Sequence, residues 1–249
     1  VAGVTAAFRA WGHDVAAVIV EPCATNMGVV RPVPGFLAAL REACDAAGAL
    51  LVFDEVVSGF RFRYGGLGPE VGVEPDLVTF GKIIGGGTPI GAFGGRAHHL
   101  EVLRRAGGVF QGGTFAGNPL SMAAGLATLD ELAKPGFYEG MERRGCVTEA
   151  TLLHGFQKHG LPFFVQRKGS LLSLILIEGQ KRLGNLDDVQ KQDGKLFARF
   201  HLRMLEAGFL LPPTIEEPLF ISAAHTEDDL VRFATAAARV LADLAAGRP

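Results

Sequence analysis

Residues 75–87 read Pro-Asp-Leu-Val-Thr-Phe-Gly-Lys-Ile-Ile-Gly-Gly-Gly, a short apolar run followed by a lysine and then by a glycine cluster. The apolar run predicts a buried strand, and the glycines allow a ligand to come close to the backbone beyond it. A lysine at this position is well placed to bond covalently to a carbonyl group. We therefore predict that Lys82 forms a Schiff base. The ordinary alternative is a solvated lysine beside a flexible turn.

An acidic pair upstream fits the same chemistry. The apolar run from Leu50 to Phe53 predicts a second strand, and Asp54-Glu55 follows it. A carboxylate that closes a buried strand can hold the protonated ring nitrogen of pyridoxal phosphate and keep the ring an electron acceptor. Asp54 is the candidate for this role. The alternative is that the acidic pair caps a helix or is solvated.

Several motifs, in order along the chain, resemble the class III family of fold-type I enzymes that depend on pyridoxal phosphate. They are Glu21-Pro22, Asn26-Met27-Gly28, Asp54-Glu55-Val56, Ser58-Gly59-Phe60-Arg61, Gly81-Lys82-Ile83-Ile84-Gly85-Gly86-Gly87, Gly113-Thr114-Phe115-Ala116-Gly117-Asn118-Pro119-Leu120 and Ala224-His225-Thr226-Glu227. Ordered motifs at consistent separations are far more specific than one glycine-rich loop. Within the family, the chain is most similar to the glutamate-1-semialdehyde 2,1-aminomutase branch.

The resemblance implies an amino-group transfer. Aminomutases of this branch move an amino group within glutamate-1-semialdehyde and release 5-aminolevulinate for tetrapyrrole synthesis, with the cofactor in its pyridoxal and pyridoxamine phosphate forms. A class III aminotransferase that acts on another amino or keto compound is a first alternative. A second is a truncated, catalytically incompetent piece, because the chain begins at Val1 where the family has a longer N-terminal part. In the family that part supplies a phosphate-binding loop, an aromatic ring stacked on the cofactor and a substrate-binding arginine.

The resemblance also implies roles for single residues. Val56 would pack on one face of the pyridine ring, and Asn26 would donate a hydrogen bond to the phenolic oxygen of the cofactor. Thr114 would reach the phosphate bound to a neighbouring subunit, so that a homodimer is implied. Glu217 would lie near the substrate, although Pro218-Leu219 departs from the small residues of the family. The residues alone leave plainer interpretations open: a core valine, a turn asparagine, a helix cap and a surface acid.

The composition is that of an ordinary globular enzyme. The chain has 249 residues, 48% of them apolar, and a formal net charge of −2, which indicates no binding to nucleic acid or to an anionic membrane. Three cysteines without CxxC spacing favour a reducing compartment, the cytoplasm. No apolar run approaches the roughly 20 residues that span a bilayer, and the N-terminus lacks the pattern of a secretory signal. The histidines show no metal-ligand spacing, so no metal site is predicted.

Strands and helices alternate in the first half of the chain. The continuous apolar run Val15–Val20 predicts a strand buried on both faces, and a helix follows over Pro34–Ala47. This alternation predicts a three-layer α/β/α sandwich with a mainly parallel sheet, here a partial cofactor-binding domain over residues 1–134. Residues 135–249 are predicted to form a smaller α+β domain, with one long helix from about Asp187 to Ala207.

Overall fold

The computed structural model describes residues 1–104 and 108–247, which group into two compact units. The first unit comprises Val1–Pro22 and Pro32–Pro135, and the second comprises Cys23–Arg31 and Gly136–Pro249. The domain boundary near residue 134 stays a prediction. The two units differ from the predicted domains because the short segment Cys23–Arg31, which lies within the predicted first domain, groups with the C-terminal residues.

The first unit contains a four-stranded sheet. Its helices and strands are α1 (Ala2–Trp11), β1 (Ala17–Val20), α2 (Phe36–Ala47), β2 (Leu50–Glu55), α3 (Gly68–Val71), β3 (Leu77–Gly81), β4 (Gly91–Gly95), α4 (Ala97–Leu100) and α5 (Pro119–Leu132), with 3-10 turns at Gly12–Asp14, Lys82–Gly85 and Glu101–Leu103. The strand order is β1-β2-β3-β4. The first three strands are parallel, and β4 is antiparallel to β3. The sheet is therefore mainly parallel, as predicted.

The two faces of this sheet differ in how far they are buried. On one face Leu51 and Phe53 are fully buried and pack with α2 and with side chains of α1. Side chains alternate along a strand, so that Ile19 points to the opposite face, where it is 64% exposed. The prediction that the run Val15–Val20 is buried on both faces is wrong, because the described helices that pack on this strand cover a single face.

The second unit is the α+β arrangement that the sequence predicts. Its elements are α6 (Phe137–Lys158), β5 (Phe164–Lys168), β6 (Leu171–Ile175), α7 (Leu186–Gln190), α8 (Gly194–Glu206), β7 (Leu219–Phe220) and α9 (Glu227–Ala245). The three strands form an antiparallel sheet in the order β5-β6-β7. One apolar core joins α6, α8 and α9 to this sheet and includes the fully buried Leu152, Phe200 and Leu241.

The single helix predicted from about Asp187 to Ala207 is wrong. The structure has α7 and α8 there, separated by residues 191–193. The Asp193 carboxylate accepts hydrogen bonds from the backbone N–H groups of Lys195 and Leu196, both at 2.9 Å, and so caps α8. Asn185 caps α7 in the same way. Two capping side chains start two helices where the overall polarity of the segment suggests one.

None of the helices in the described part of the chain has the length and the apolar content that crossing a bilayer requires. Over residues 1–104 and 108–247, no three or more His, Cys, Asp or Glu side chains are grouped so that they could hold a metal ion.

Candidate active site

Asp54 and Lys82 lie at the same edge of the parallel sheet. Strand β2 continues two residues beyond Phe53, so that Asp54 is its next-to-last residue and pairs in register with Thr79 of β3. Lys82 directly follows Gly81, the last residue of β3. Parallel α/β sheets bind their ligands outside the carboxyl ends of the strands. Both residues are therefore at the edge where a cofactor is expected.

The backbone of Lys82 has an uncommon conformation. Its φ angle is 48°, in the left-handed region that side chains other than glycine rarely occupy. Lys82 begins the 3-10 turn Lys82–Gly85, its side chain is exposed, and among the described residues its amine forms no hydrogen bond or ion pair. Backbone strain of this kind costs roughly 1–3 kcal/mol and is concentrated at functional sites. The turn thus presents an uncommitted amine beyond the end of β3.

The Asp54 carboxylate is held by two donors. Its Oδ1 accepts hydrogen bonds from Val56 N at 3.1 Å and from Thr79 Oγ1 at 3.4 Å. Within the described residues Oδ2 accepts none, so it is available to a protonated donor. The Val56 side chain lies against Gly81, where a Cβ atom would stand 3.2 Å from Val56 Cγ1. Asp54, Val56 and Lys82 are thus gathered around the ends of two neighbouring strands.

Glu55 has a structural role that the sequence leaves undefined. It is 1% exposed, and its carboxylate accepts hydrogen bonds from Leu67 N at 2.7 and 2.9 Å and from Ser58 Oγ at 3.1 Å. Burial raises the pKa of this carboxyl above its ordinary value, and the hydrogen bonds from Leu67 and Ser58 offset only part of the rise. Because side chains alternate along β2, Glu55 points away from Asp54 and fixes the loop that follows the strand.

Two small residues of α5 support the lysine turn. A Cβ atom on Gly125 would collide with the backbone oxygen of Ile84, so that only glycine lets the helix come this close. Ser121 is 2% exposed, and its Oγ donates a hydrogen bond to Pro89 O at 2.9 Å. Sequence reasoning assigns neither residue a role. The signal that could have found them is the high content of small residues in this helix.

Thr114 lies in a turn of the first unit, ahead of α5. Its side chain is exposed, and within the described residues its hydroxyl forms no hydrogen bond. The cap of α5 is Asn118, whose side-chain oxygen accepts a hydrogen bond from Ser121 N at 2.9 Å. The alternative in which Thr114 caps the helix is therefore wrong, and its role at a phosphate stays a prediction.

Asn26 and Glu217 belong to the second unit. Asn26 is exposed in a turn between Ala24 and Val30, which pair as an isolated antiparallel bridge. Glu217 is exposed as well, and its neighbour is joined to the same turn by a hydrogen bond from Gly28 N to the Glu216 oxygen at 3.0 Å. The structure brings these two segments together, and the roles of Asn26 and Glu217 stay predictions.

Comparison with known proteins identifies the family. Residues 2–236 match the family described as aminotransferase class-III, and the chain belongs to this family. It is similar to the glutamate-1-semialdehyde 2,1-aminomutase of Thermomicrobium roseum, with 47% identity over 241 residues, 97% of this chain and 56% of the relative. It is also similar to glutamate-1-semialdehyde 2,1-aminomutase 2 of Brevibacillus brevis, with 45% identity over 91% of this chain and 52% of the relative. The chain spans about half the length of these curated relatives.

Solved structures confirm the fold. A β-phenylalanine aminotransferase from Variovorax paradoxus matches 98% of this chain and 56% of its own, with a TM-score of 0.89 and 32% identity. A glutamate-1-semialdehyde aminomutase from Pseudomonas aeruginosa PAO1 matches 98% of this chain and 55% of its own, with a TM-score of 0.82 and 29% identity. A variant of the latter is described in complex with PMP. The predictions of the family, of its fold-type I architecture and of its pyridoxal phosphate cofactor are thereby confirmed at the level of the family.

Proposed function

We propose that this chain binds pyridoxal phosphate in its first unit, with Lys82 and Asp54 as catalytic residues. The observation that carries the proposal is their placement at the carboxyl ends of adjacent parallel strands. Among the described residues, Asp54 Oδ2 and the Lys82 amine form no hydrogen bond or ion pair. The chemistry of the residues fits the cofactor. An amine suits its aldehyde, an acid suits its ring nitrogen, and the apolar Val56 suits a face of its ring.

When bound, pyridoxal phosphate supplies an aldehyde that takes up amino groups and a ring that accepts electrons. Lys82 Nζ would hold the cofactor covalently and, once a substrate amine has displaced it, would move protons to and from the reacting carbons. Asp54 Oδ2 would keep a proton on the ring nitrogen. Val56 would pack on the ring and exclude water from that face. Asn26 would donate to the phenolic oxygen, and Glu217 would contact the substrate.

The reaction we propose is that of a glutamate-1-semialdehyde 2,1-aminomutase, which yields 5-aminolevulinate for tetrapyrrole biosynthesis. It is supported by curated relatives of that name at 45 and 47% identity. The alternative is a class III aminotransferase that acts on another amino or keto compound, and the likeness to the Variovorax paradoxus enzyme at 32% identity favours it. The cofactor residues serve both reactions, so an assay has to separate them.

We further propose that the protein is a homodimer in the cytoplasm. Large apolar side chains with exposures between 59 and 91% are concentrated in one segment: Val109, Phe110, Phe115, Leu120 and Leu126. Apolar exposure of this extent is typical of a protein interaction surface. Thr114 lies within the segment and would reach the phosphate bound to the neighbouring subunit. Cys23, Cys44 and Cys146 form no disulfide within the described residues, which fits a reducing compartment.

Trapping of the cofactor tests the Lys82 assignment. Pyridoxal phosphate is added to the purified chain, the bond is reduced with borohydride, and the labelled peptide is located by mass spectrometry. We expect the label on Lys82 and its loss in Lys82→Ala, with no loss in Lys158→Ala, which removes an exposed lysine of the second unit. Labelling that persists in Lys82→Ala would sink the assignment. An unlabelled parent chain would favour the catalytically incompetent alternative.

Turnover assays separate the two reactions. Formation of 5-aminolevulinate from glutamate-1-semialdehyde without a second amino acceptor supports the aminomutase, whereas amino transfer to an added keto acid supports the aminotransferase. We expect Asp54→Asn to retain the cofactor but to lower turnover on the order of a hundredfold, because the ring nitrogen loses its acidic partner. Equal turnover in this variant, or a loss explained by reduced cofactor occupancy, would contradict the role of Asp54.

A further inference from the structure

The segment Cys23–Arg31 contains a tight turn with a strained backbone. Ala24 and Val30 close it with two hydrogen bonds, Ala24 N to Val30 O at 3.0 Å and Val30 N to Ala24 O at 2.7 Å. Between them, Val29 is fully buried and has a φ angle of 57°. Branched side chains rarely adopt this left-handed conformation. A turn of this kind persists only where its surroundings hold it in place.

Gln166 of β5 supplies much of that support. It is 7% exposed, and its Nε2 donates hydrogen bonds to Gly28 O at 2.8 Å and to Val29 O at 3.1 Å. Its Oε1 accepts a hydrogen bond from Leu183 N at 3.0 Å. One side-chain amide therefore uses both its donor and its acceptor ends, and it binds the carbonyl of the strained residue itself.

The same turn is tied to the segment that carries Glu217. Gly28 accepts from Gln166 through its oxygen and donates through its N–H to the Glu216 oxygen at 3.0 Å. Its φ angle of 88° and the Leu183 side chain leave no room for a larger residue, since a Cβ atom would stand 2.5 Å from Leu183 Cδ1. A continuous path of hydrogen bonds thus leads from Gln166 through the turn to the residue before Glu217.

We infer that Gln166 is a positioning residue, which sets the orientation of Asn26 at the tip of the turn and of Glu217 beside it. The inference rests on the proposed function, in which these two side chains contact the cofactor and the substrate. A glutamine that only satisfied two buried carbonyls would affect stability and nothing else. A glutamine that orients Asn26 also affects the proton affinity of the bound cofactor, since a donor at its phenolic oxygen favours the deprotonated form.

The first arm of the test measures the turn without cofactor. Amide hydrogen exchange is compared between the 249-residue chain, Gln166→Leu and the control Ser173→Ala. Ser173 is the register partner of Gln166 on β6 and is 2% exposed, and its Oγ forms no hydrogen bond to any described residue. We expect exchange at Gly28 and Val30 to become roughly tenfold faster in Gln166→Leu and to stay unchanged in Ser173→Ala. Unchanged exchange in Gln166→Leu would overturn the inference.

The second arm measures the pH midpoint of the visible absorption change of bound pyridoxal phosphate. Asn26→Ala, which removes the donor, is expected to raise the midpoint by about one pH unit. Gln166→Leu is expected to raise it in the same direction, and Ser173→Ala is expected to leave it unchanged. A midpoint that rises in Asn26→Ala but not in Gln166→Leu would reduce Gln166 to a structural role and overturn the inference.

Two further results keep the inference and the proposed function apart. If the parent chain binds no pyridoxal phosphate, the proposed function fails, and the exchange data alone decide whether Gln166 fixes the turn. If Gln166→Leu does not fold, Gln166→Glu is used in its place. That variant keeps an acceptor for Leu183 N, but it places a carboxylate oxygen next to the carbonyl oxygens of Gly28 and Val29 and cannot donate to them. The same two shifts are expected of Gln166→Glu, and their absence in the folded variant would overturn the inference.

Discussion

Asp76 should contribute strongly to the stability of the first unit. Its side chain is 8% exposed, and its Oδ2 accepts hydrogen bonds from an Arg41 guanidinium nitrogen at 2.7 Å and from Leu51 N at 2.8 Å. Its Oδ1 lies 3.5 Å from His99 Nε2 and 3.9 Å from an Arg96 guanidinium nitrogen. One carboxylate thus joins α2, β2 and the residues that follow β4 to the start of β3.

The size of the stability loss can be judged by comparing Asp76 with Asp45, since both carboxylates contact Arg41. Hydrogen bonds to charged groups contribute about 1.5–3 kcal/mol each, and a buried pair that loses one partner leaves the other charge uncompensated. We expect Asp76→Asn to lower the free energy of unfolding by about 2–4 kcal/mol, because the amide can keep the Leu51 bond but not the charge opposite Arg41. Asp45 also lies 2.7 Å from Arg41, but its side chain is 64% exposed. Asp45→Asn should therefore cost less than about 1 kcal/mol.

Urea unfolding at pH 7 measures both variants. Burial by itself would raise the pKa of Asp76, but the Leu51 N–H group and the Arg41 guanidinium together lower it below its ordinary value of 3.8. A lowered pKa means that the contribution is fully present above pH 3.8 and is lost as the pH falls through the folded-state pKa. Fluorescence of Trp11, the single tryptophan, reports on the first unit, since it lies in α1.

Equal losses of stability in Asp76→Asn and Asp45→Asn would refute the reasoning, because burial would then make no difference to a pair of the same length. A second check concerns the site. Asp76 precedes β3, whereas Lys82 follows it, so a folded Asp76→Asn chain should still be labelled by pyridoxal phosphate at Lys82. Loss of labelling without unfolding would show that the carboxylate acts on the site rather than on the fold.

Two further predictions concern Glu55 and Gly125. Because burial raises the pKa of Glu55, this residue should destabilise the fold as the pH rises above 4.5, the pKa of the unfolded chain. In urea titrations, the free energy of unfolding of Glu55→Gln should therefore fall less between pH 4 and neutral pH than that of the parent chain. An equal fall in the two chains would contradict this. Gly125→Ala should cost about 1–3 kcal/mol and weaken labelling of Lys82, because its Cβ pushes α5 off the lysine turn. Gly3→Ala, where a Cβ meets nothing within 4 Å, is the control, and equal effects of the two changes in thermal unfolding would refute the packing argument.

Local signals are sufficient to predict most elements of the first unit. Gly48 ends α2 in the left-handed conformation that its position after an amphipathic run suggests. Short apolar runs mark β1 and β2, and their parallel pairing follows from the helix α2 between them. What a continuous apolar run does not reveal is how many of its faces are covered. Ile19 shows this, since the pattern around it is the same whether a helix packs on that side or not.

Helix caps are a second feature that the sequence pattern alone does not decide. Asp193 and the polar residues around it suit the exposed face of one long helix, and they suit the start of a new helix equally well. The choice depends on whether the aspartate bonds to the following backbone or points to solvent. That choice is made by the packing of α8, through Phe197, Phe200 and Met204, against the core.

The residues of the candidate site also fall into two groups: those that a local motif indicates, and those that contact the site from distant parts of the sequence. Lys82, Asp54 and Asn26 are proposed from short motifs, because the chemistry of each resides in one side chain and its immediate neighbours. The groups that would aim them are remote in sequence: Gly125 supports the lysine turn from α5, and Gln166 binds Gly28 across 138 residues. A single sequence contains no local pattern that indicates such contacts, since a glutamine in a predicted strand is expected to be an ordinary exposed polar residue. A sequence therefore suffices to propose the side chains that would perform the chemistry, whereas the side chains that would orient them can be proposed only from the fold.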